Sequence, residues 1–569
     1  MEWETQSRTD APVSLTSVHS GTPAAWPSES RLSFGFVALQ VAVAMFLLTA
    51  SRGALPAAAP SADRAILHRI AQEVEIARVI DSLASVTRSA PIVFRDVAVV
   101  DVASHRSVPG QSVIVRDGRI AWIGAAAAID PLASREAQVV DGQGLYLSPG
   151  LTDMHVHTLS LAEQLLRLAN GETSVREMDG FPWLLELRRG IDSGRLLAPT
   201  PYIAGTIIAS APLGGYGVVV STPEEARATV RGEAACGYDF IKVHNLLPRP
   251  LFDAVADETR MAGMDLVGHI PHDISIDHAL HVGHMRTVEH LKGFLIDEAL
   301  TVSNEDYAKA VAGVEYWQTP TLYTYLNYVH GDAARAQLDR FEMRYVPAAR
   351  RAAWQVNAAA SSARDERVLG LLVTAQHAAI ERLLPLGTHW LAGSDAAQYR
   401  YNIAGFALLD ELRLMQQFGI PQADVLRAAT SEPAAAMRRD DFGQIKHGMR
   451  ADLVLLDADP TVDLNAYYHN RGVVVRGRWL TRAALDTALD RLAQIEAEPD
   501  SSFPLTEQSL QALERSLSRL AAEHVALDAS SLRAAASSLR MLGYRKTART
   551  VAALAAAPAR GSCEETTPN

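Results

Sequence analysis

Cysteine is nearly absent: the 569-residue chain holds two, Cys236 and Cys563, in unrelated contexts. Two such residues build neither a disulfide framework nor a cysteine-based metal site. A basic excess is also missing. The 53 Lys and Arg against 65 Asp and Glu leave a formal net charge of −12. A surface that tracks phosphates needs the opposite sign, so nucleic acid is excluded as a partner. Long apolar runs are confined to one, Phe34 to Ala50. It sits at the short end for a membrane span and is long for the core of a signal peptide. No fine internal repeat is present.

What remains is ordinary globular material, 48% hydrophobic and 21% charged, in a chain long enough for more than one domain. Residues 1–31 are rich in Ser, Thr and Pro and are expected to be disordered. Residues 32–60 read as a signal peptide or membrane anchor. The small residues Ala57-Ala58-Ala59 resemble a cleavage region, but Pro60 disfavours cleavage directly before it. The protein is thus expected to be exported, either periplasmic or extracellular, or anchored to the membrane by residues 34–50. Residues 61–90 form a helical linker, with Ile66, Ile70, Val74, Ile80 and Leu83 at mostly helical spacing.

A strand-rich block follows over 91–148, with a hairpin signal at Asp117-Gly118 between apolar runs. A similar block returns over 435–480, and the ends of a domain often lie close together. Between them, over 149–434, strands and helices alternate in the pattern of a parallel sheet with helical crossovers. Eight candidate strands lie around Leu151–His157, Thr173–Met178, Tyr202–Ile208, Phe240–His244, Leu266–His269, Thr287–His290, Trp317–Tyr323 and His389–Asp395. Eight such units make a (β/α)8 barrel, whose chemistry sits at the C-terminal ends of its strands. Residues 481–569 read as a helical tail. The fold class expected is α/β.

Metal-type residues recur at or near those strand ends: His155, His157, Lys242, His269, His290 and Asp395. Side chains two apart on a strand share a side, so His155 and His157 can reach one cation together. Lysine is rarely buried without a partner, which singles out Lys242 in the apolar run Phe240-Ile241-Lys242-Val243. The stretches PGLTDMHVH, DFIKVHNLL, LVGHI, TVEH and LAGSDA, followed by ATSEPAAAM and FGQIKHGMRADLVLLDADP, resemble the amidohydrolase superfamily. The likeness is to its binuclear members with a carboxylated lysine, and within them to imidazolonepropionase-related and Xaa-Pro or Xaa-Arg dipeptidase-like enzymes. It covers about Ile92 to Leu480. It implies a TIM-like barrel with a small β-sandwich built from the segments before and after it.

The resemblance implies two divalent ions, zinc by donor chemistry. His155, His157 and Asp395 would hold one and His269 and His290 the other. Lys242, reacted with CO2 to a carbamate, would bridge them, because two close cations need a bridging anion besides hydroxide. Asp395 would also be the catalytic proton carrier. The expected activity is hydrolysis of an amide or peptide C–N bond in a small substrate. Mononuclear cyclic-amide hydrolysis or deamination is the alternative, although no Glu follows His269 in Ile270-Pro271-His272-Asp273. A catalytically silent, membrane-tethered scaffold is a further one. His244 faces the same side as Lys242 and is a candidate substrate contact, where the related enzymes often carry Tyr. His272, His278, His281 and His284 read as surface histidines, and Gly214-Gly215 as a mobile loop beside the site. A small-molecule substrate and self-association into a homo-oligomer complete the expected partners.

Overall fold

A computed structural model describes residues 59–86, 91–128, 137–213, 217–294, 304–359, 363–396, 400–499, 507–522 and, with breaks, 532–556. The N-terminal disordered segment, the apolar run Phe34 to Ala50, Gly214-Gly215 and Cys563 lie outside them. Among the described residues no helix is long and apolar enough to cross a membrane. Cys236 is disulfide-bonded, a bridge that the sequence reading, which saw no disulfide framework, did not anticipate.

The strands, in chain order, are β1 (Ile92–Asp101), β2 (Arg106–Arg116), β3 (Arg119–Ala125), β4 (Gln138–Asp141), β5 (Tyr146–Pro149), β6 (Leu151–Val156), β7 (Glu172–Glu177), β8 (Thr200–Ile203) and β9 (Ile208–Ala209). They continue as β10 (Val218–Val219), β11 (Phe240–Val243), β12 (Asp265–Gly268), β13 (Met285–Glu289), β14 (Trp317–Thr319), β15 (His389–Trp390), β16 (Leu453–Leu456), β17 (Asn470–Val475) and β18 (Arg478–Thr481).

Strands from both ends of the domain share one eight-stranded sheet, in the order β18-β17-β16-β5-β1-β2-β3 with β4 on β1. The join is the antiparallel pair β5–β16, from Pro149 opposite Leu453 to Tyr146 opposite Leu456. Alternation buries one face, where Phe94, Val113, Leu147, Leu455, Val474 and Trp479 form a separate core. Phe94 and Trp479 meet edge to face with centroids 5.2 Å apart. Two tight turns close hairpins here. Asp117 and Gly118 take φ of 51° and 76°, and Arg476 and Gly477 take 45° and 75°. Positive φ at both central residues matches the twist of the strands. The turns touch: a Cβ on Gly477 would lie 2.5 Å from the Gly118 Cα, so glycine is required there.

The eight expected barrel strands are all present and parallel, and those expected around Tyr202, Trp317 and His389 are shorter than the sequence suggests. With the two-residue strands β9 and β10 they form a three-stranded sheet β6-β7-β8 and a seven-stranded sheet β10-β9-β11-β12-β13-β14-β15. Isolated bridges span both gaps, Ala204 to Phe240 on one side and Val156 to Ala396 on the other. Helices follow the strands as crossovers require. The helix Pro223–Cys236 shows local control of its ends: Thr222 and Glu225 form a reciprocal capping box and Gly237 closes the C-terminus at φ 84°. Phe240 and Val267, two residues before Lys242 and His269, join Trp317 and Leu391 in an apolar layer.

Candidate metal centre

Three backbone bonds align β6 with the segment after β15. Met154 N–H donates to Ala392 O (2.8 Å), Asp395 N–H to His155 O (2.7 Å) and His157 N–H to Ala396 O (2.6 Å). This brings Asp395 beside both histidines of the His-x-His pair. Its Oδ1 lies 3.2 Å from His157 Nε2 and 3.6 Å from His155 Nε2. A Cβ on Gly393 would come within 2.8 Å of the His155 Cβ, so only glycine permits this approach. Asp153 holds the arrangement from below. Its carboxylate accepts the backbone N–H of His155 (3.1 Å) and of Ser394 (2.9 Å), and the Ser394 hydroxyl.

His290 enters from β13. Its Nδ1 is 3.8 Å from Asp395 Oδ2 and 2.6 Å from Thr321 Oγ1. Both His290 (φ 58°) and Asp395 (φ 57°) have left-handed backbones. Such conformations cost about 1–3 kcal/mol each and cluster where function requires them. Behind His155 runs a chain the sequence reading missed. His155 Nδ1 meets Glu289 Oε2 at 2.8 Å, and Arg176 Nη2 donates to Glu289 Oε1 at 2.8 Å. Arg176 also donates to Thr287 Oγ1 and Met154 O. The carboxylate fixes the ring so that Nε2 faces Asp395, the usual way a ligating histidine is oriented. A signal existed: Arg176 is a charged residue inside a short buried strand, the argument already applied to Lys242.

Lys242 on β11 is 1% exposed and pairs in register with Val267. Burial lowers its ammonium to about 8, although Glu289 and Asp395 oppose the shift. His269 follows β12, with its ring 4.9 Å from that of His290 and 4.7 Å from that of His244. Asn245 stands behind it, Oδ1 at 3.3 Å from His269 Nδ1. The six expected residues and His244 thus gather in one place. The four other histidines named from the sequence are exposed or half-buried.

Burial, with Lys242, lowers the His155 imidazole to about 4, and burial lowers His269 and His290 well below the usual range. Burial alone would raise the Asp395 carboxyl, but His155 and His290 hold it well below the usual carboxylate range. Neutral imidazoles around a carboxylate are a cation's donor set. His155 Nε2, His157 Nδ1 and Asp395 Oδ1 are buried without a hydrogen-bond partner. Donor atoms of His155, His290 and Asp395 lie within 4.8 Å of one another. These residues fit a metal ion. Lys242, His157 and His269 lie alongside rather than within that group of three.

The amidohydrolase family matches residues 249–480, which include His269, His290 and Asp395 but not His155, His157 or Lys242. An imidazolonepropionase of Anaeromyxobacter sp. is 25% identical over 430 residues, covering 67% of this chain and 93% of that protein. Shorter matches to imidazolonepropionases and an adenine deaminase span between 14% and 31% of those proteins' own length. Among solved structures, a bottromycin amidohydrolase superposes with a TM-score of 0.62 at 23% identity, over 75% of this chain and 95% of its own. A Xaa-Pro dipeptidase with bound methionine in the active site superposes at 0.53 and 20% identity, over 69% of this chain and 100% of its own. At such identities the likeness is one of fold, and it implies a TIM-like barrel.

Proposed function

We propose that the chain, as a member of the amidohydrolase superfamily similar to imidazolonepropionases and dipeptidases, cleaves an amide or peptide C–N bond of a small substrate with two divalent ions. The parallel strands are read as a closed (β/α)8 barrel, and the eight-stranded sheet as the accompanying β-sandwich. Bound zinc would polarise the scissile carbonyl and acidify the attacking water. His155, His157 and Asp395 would hold one ion and His269 and His290 the other. The neutral amine of Lys242 would add to CO2 and lose a proton, giving the bridging carbamate. Asp395 would take the proton of the attacking water at Oδ1 and release it to the departing nitrogen.

The observation that carries this reading is the convergence of His155, His290 and Asp395, with buried atoms facing one another unsatisfied. The test is metal analysis of the purified protein with a screen of dipeptides and N-acyl amino acids. About two zinc ions per chain and turnover of a member of either library are expected. A metal-free protein that still hydrolyses them would overturn the reading. The mononuclear alternative is favoured by one fact, that just three donors fall within the 4.8 Å group among the described residues. It predicts one ion per chain.

Lys292 supports a substrate with an anionic end. Its charge acts on His244, His269 and His290 together, and burial lowers its own ammonium. Export directed by Phe34 to Ala50 is part of the same proposal, with cleavage and membrane anchoring both open to test. The bridged state of Cys236 supports it, since disulfides persist in oxidising compartments.

A further inference from the structure

The backbone leaving the His-x-His pair is held by carboxylates from three different elements. Thr158 N–H donates to Glu177 Oε2 on β7 (3.0 Å), and Leu159 N–H to Glu163 Oε2 (3.0 Å). Leu161 N–H donates to Glu73 Oε2 (2.9 Å), and Glu73 stands on the helix Ala59–Val86, ahead of the first sheet. Leu161 opens the helix Leu161–Ala169, whose N-cap Ser160 makes no capping bond with its own side chain. Glu73 therefore does the work of a cap from outside the helix, and its negative charge suits a helix N-terminus. It is buried, 9% exposed, and paired with Arg69 at 2.9 Å. Arg69 in turn binds Glu496 (2.8 Å), and Gln72 donates to Ile495 O (2.7 Å). Both partners lie on the late helix Arg482–Ala497. The helix Ala59–Val86 is thus fastened at one side to the helix Arg482–Ala497 and at the other to Leu161, four residues past His157.

We propose that the helix Ala59–Val86 is a working part of the metal site, with Glu73 a positioning residue that sets the His157 loop through Leu161. The proposal rests on the metal-centre reading above. It makes a segment lying outside the matched family residues necessary for full metal affinity. Residues acting behind ligands typically change affinity or activity by about 10–100-fold, and a partner one element further back belongs at the low end of that range.

The experiment uses the full chain and two readouts, zinc affinity by chelator competition and hydrogen exchange of residues 158–166. Glu73→Ala should weaken zinc binding about 10-fold and speed exchange of that segment. Glu73→Gln keeps an acceptor oxygen and should restore most of both. Gln72→Ala loosens the same helix without touching Leu161, so it should lower the melting temperature and leave both readouts unchanged. Wild-type affinity and exchange in Glu73→Ala would overturn the proposal, as would an equal loss in Gln72→Ala. If the unaltered chain binds no zinc, the metal reading fails, whereas faster exchange in Glu73→Ala alone would still support Glu73 as the anchor of the loop.

Discussion

Asp395 occupies a position no other residue type fills equally well. Its backbone is left-handed, a conformation Asp and Asn tolerate better than most. Its carboxylate faces three imidazoles at once. Asp395→Asn should keep the backbone and much of the metal while losing the proton carrier, a fall of about 10²–10⁴-fold in kcat. A rate within a few-fold of the unaltered protein would remove Asp395 from that role. Lys242→Ala should lose both metal and turnover, and added short-chain carboxylates with bicarbonate should restore part of each. Retention of two tightly bound ions would argue against a bridging carbamate. The ligand candidates were legible because they recur at strand ends in apolar runs, a local pattern. The pairing of Glu289 with Arg176 was not, because it joins residues 113 apart and follows only once β7 and β13 are placed. Lys292 was missed for a similar reason: nothing in Leu291-Lys292-Gly293 marks it until the fold brings its charge to bear on His244, His269 and His290.

Among the elements, the helix Phe406–Gln417 does more than cover the sheet. Its Glu411 receives the backbone N–H of Leu322 and Tyr323, each at 2.8 Å, just past β14. Burial raises this carboxyl to about 8, although those two bonds oppose the shift. Glu411→Ala would leave two buried donors without partners, which costs about 1–3 kcal/mol for each such group. The expected result is a lower melting temperature, measured on the metal-loaded protein. An unchanged value would mean that water or a shift of the turn satisfies both donors. The eight parallel strands were visible as apolar runs, yet β15 is just His389–Trp390. The residues that follow were read as strand; they run beside β6 through bonds of Met154, Asp395 and His157, and no local propensity announces a left-handed aspartate. That strands of the two blocks pair was anticipated, whereas the pair that joins them, Tyr146–Pro149 with Leu453–Leu456, needed the structure.

For the whole molecule, the apolar run Phe34 to Ala50 precedes every described element. Fractionation of the native protein with N-terminal sequencing should find it outside the cytoplasm. A new N-terminus near residues 50–62 indicates cleavage, and resistance to a carbonate wash indicates an anchor. A soluble cytoplasmic protein retaining residues 1–60 would end the export proposal. The joined sheet bears on how such a chain is made. Tyr146–Pro149 finds its partner only when Leu453–Leu456 has emerged, about 300 residues later. At the usual pace of synthesis, 5–20 residues per second, that is a wait of about 15–60 s. During it, the edge of β5 is an open template for any other extended chain. Each ribosome on the message therefore carries an unfinished sheet for most of its transit, and the yield of folded protein should depend on what shields that edge in the meantime.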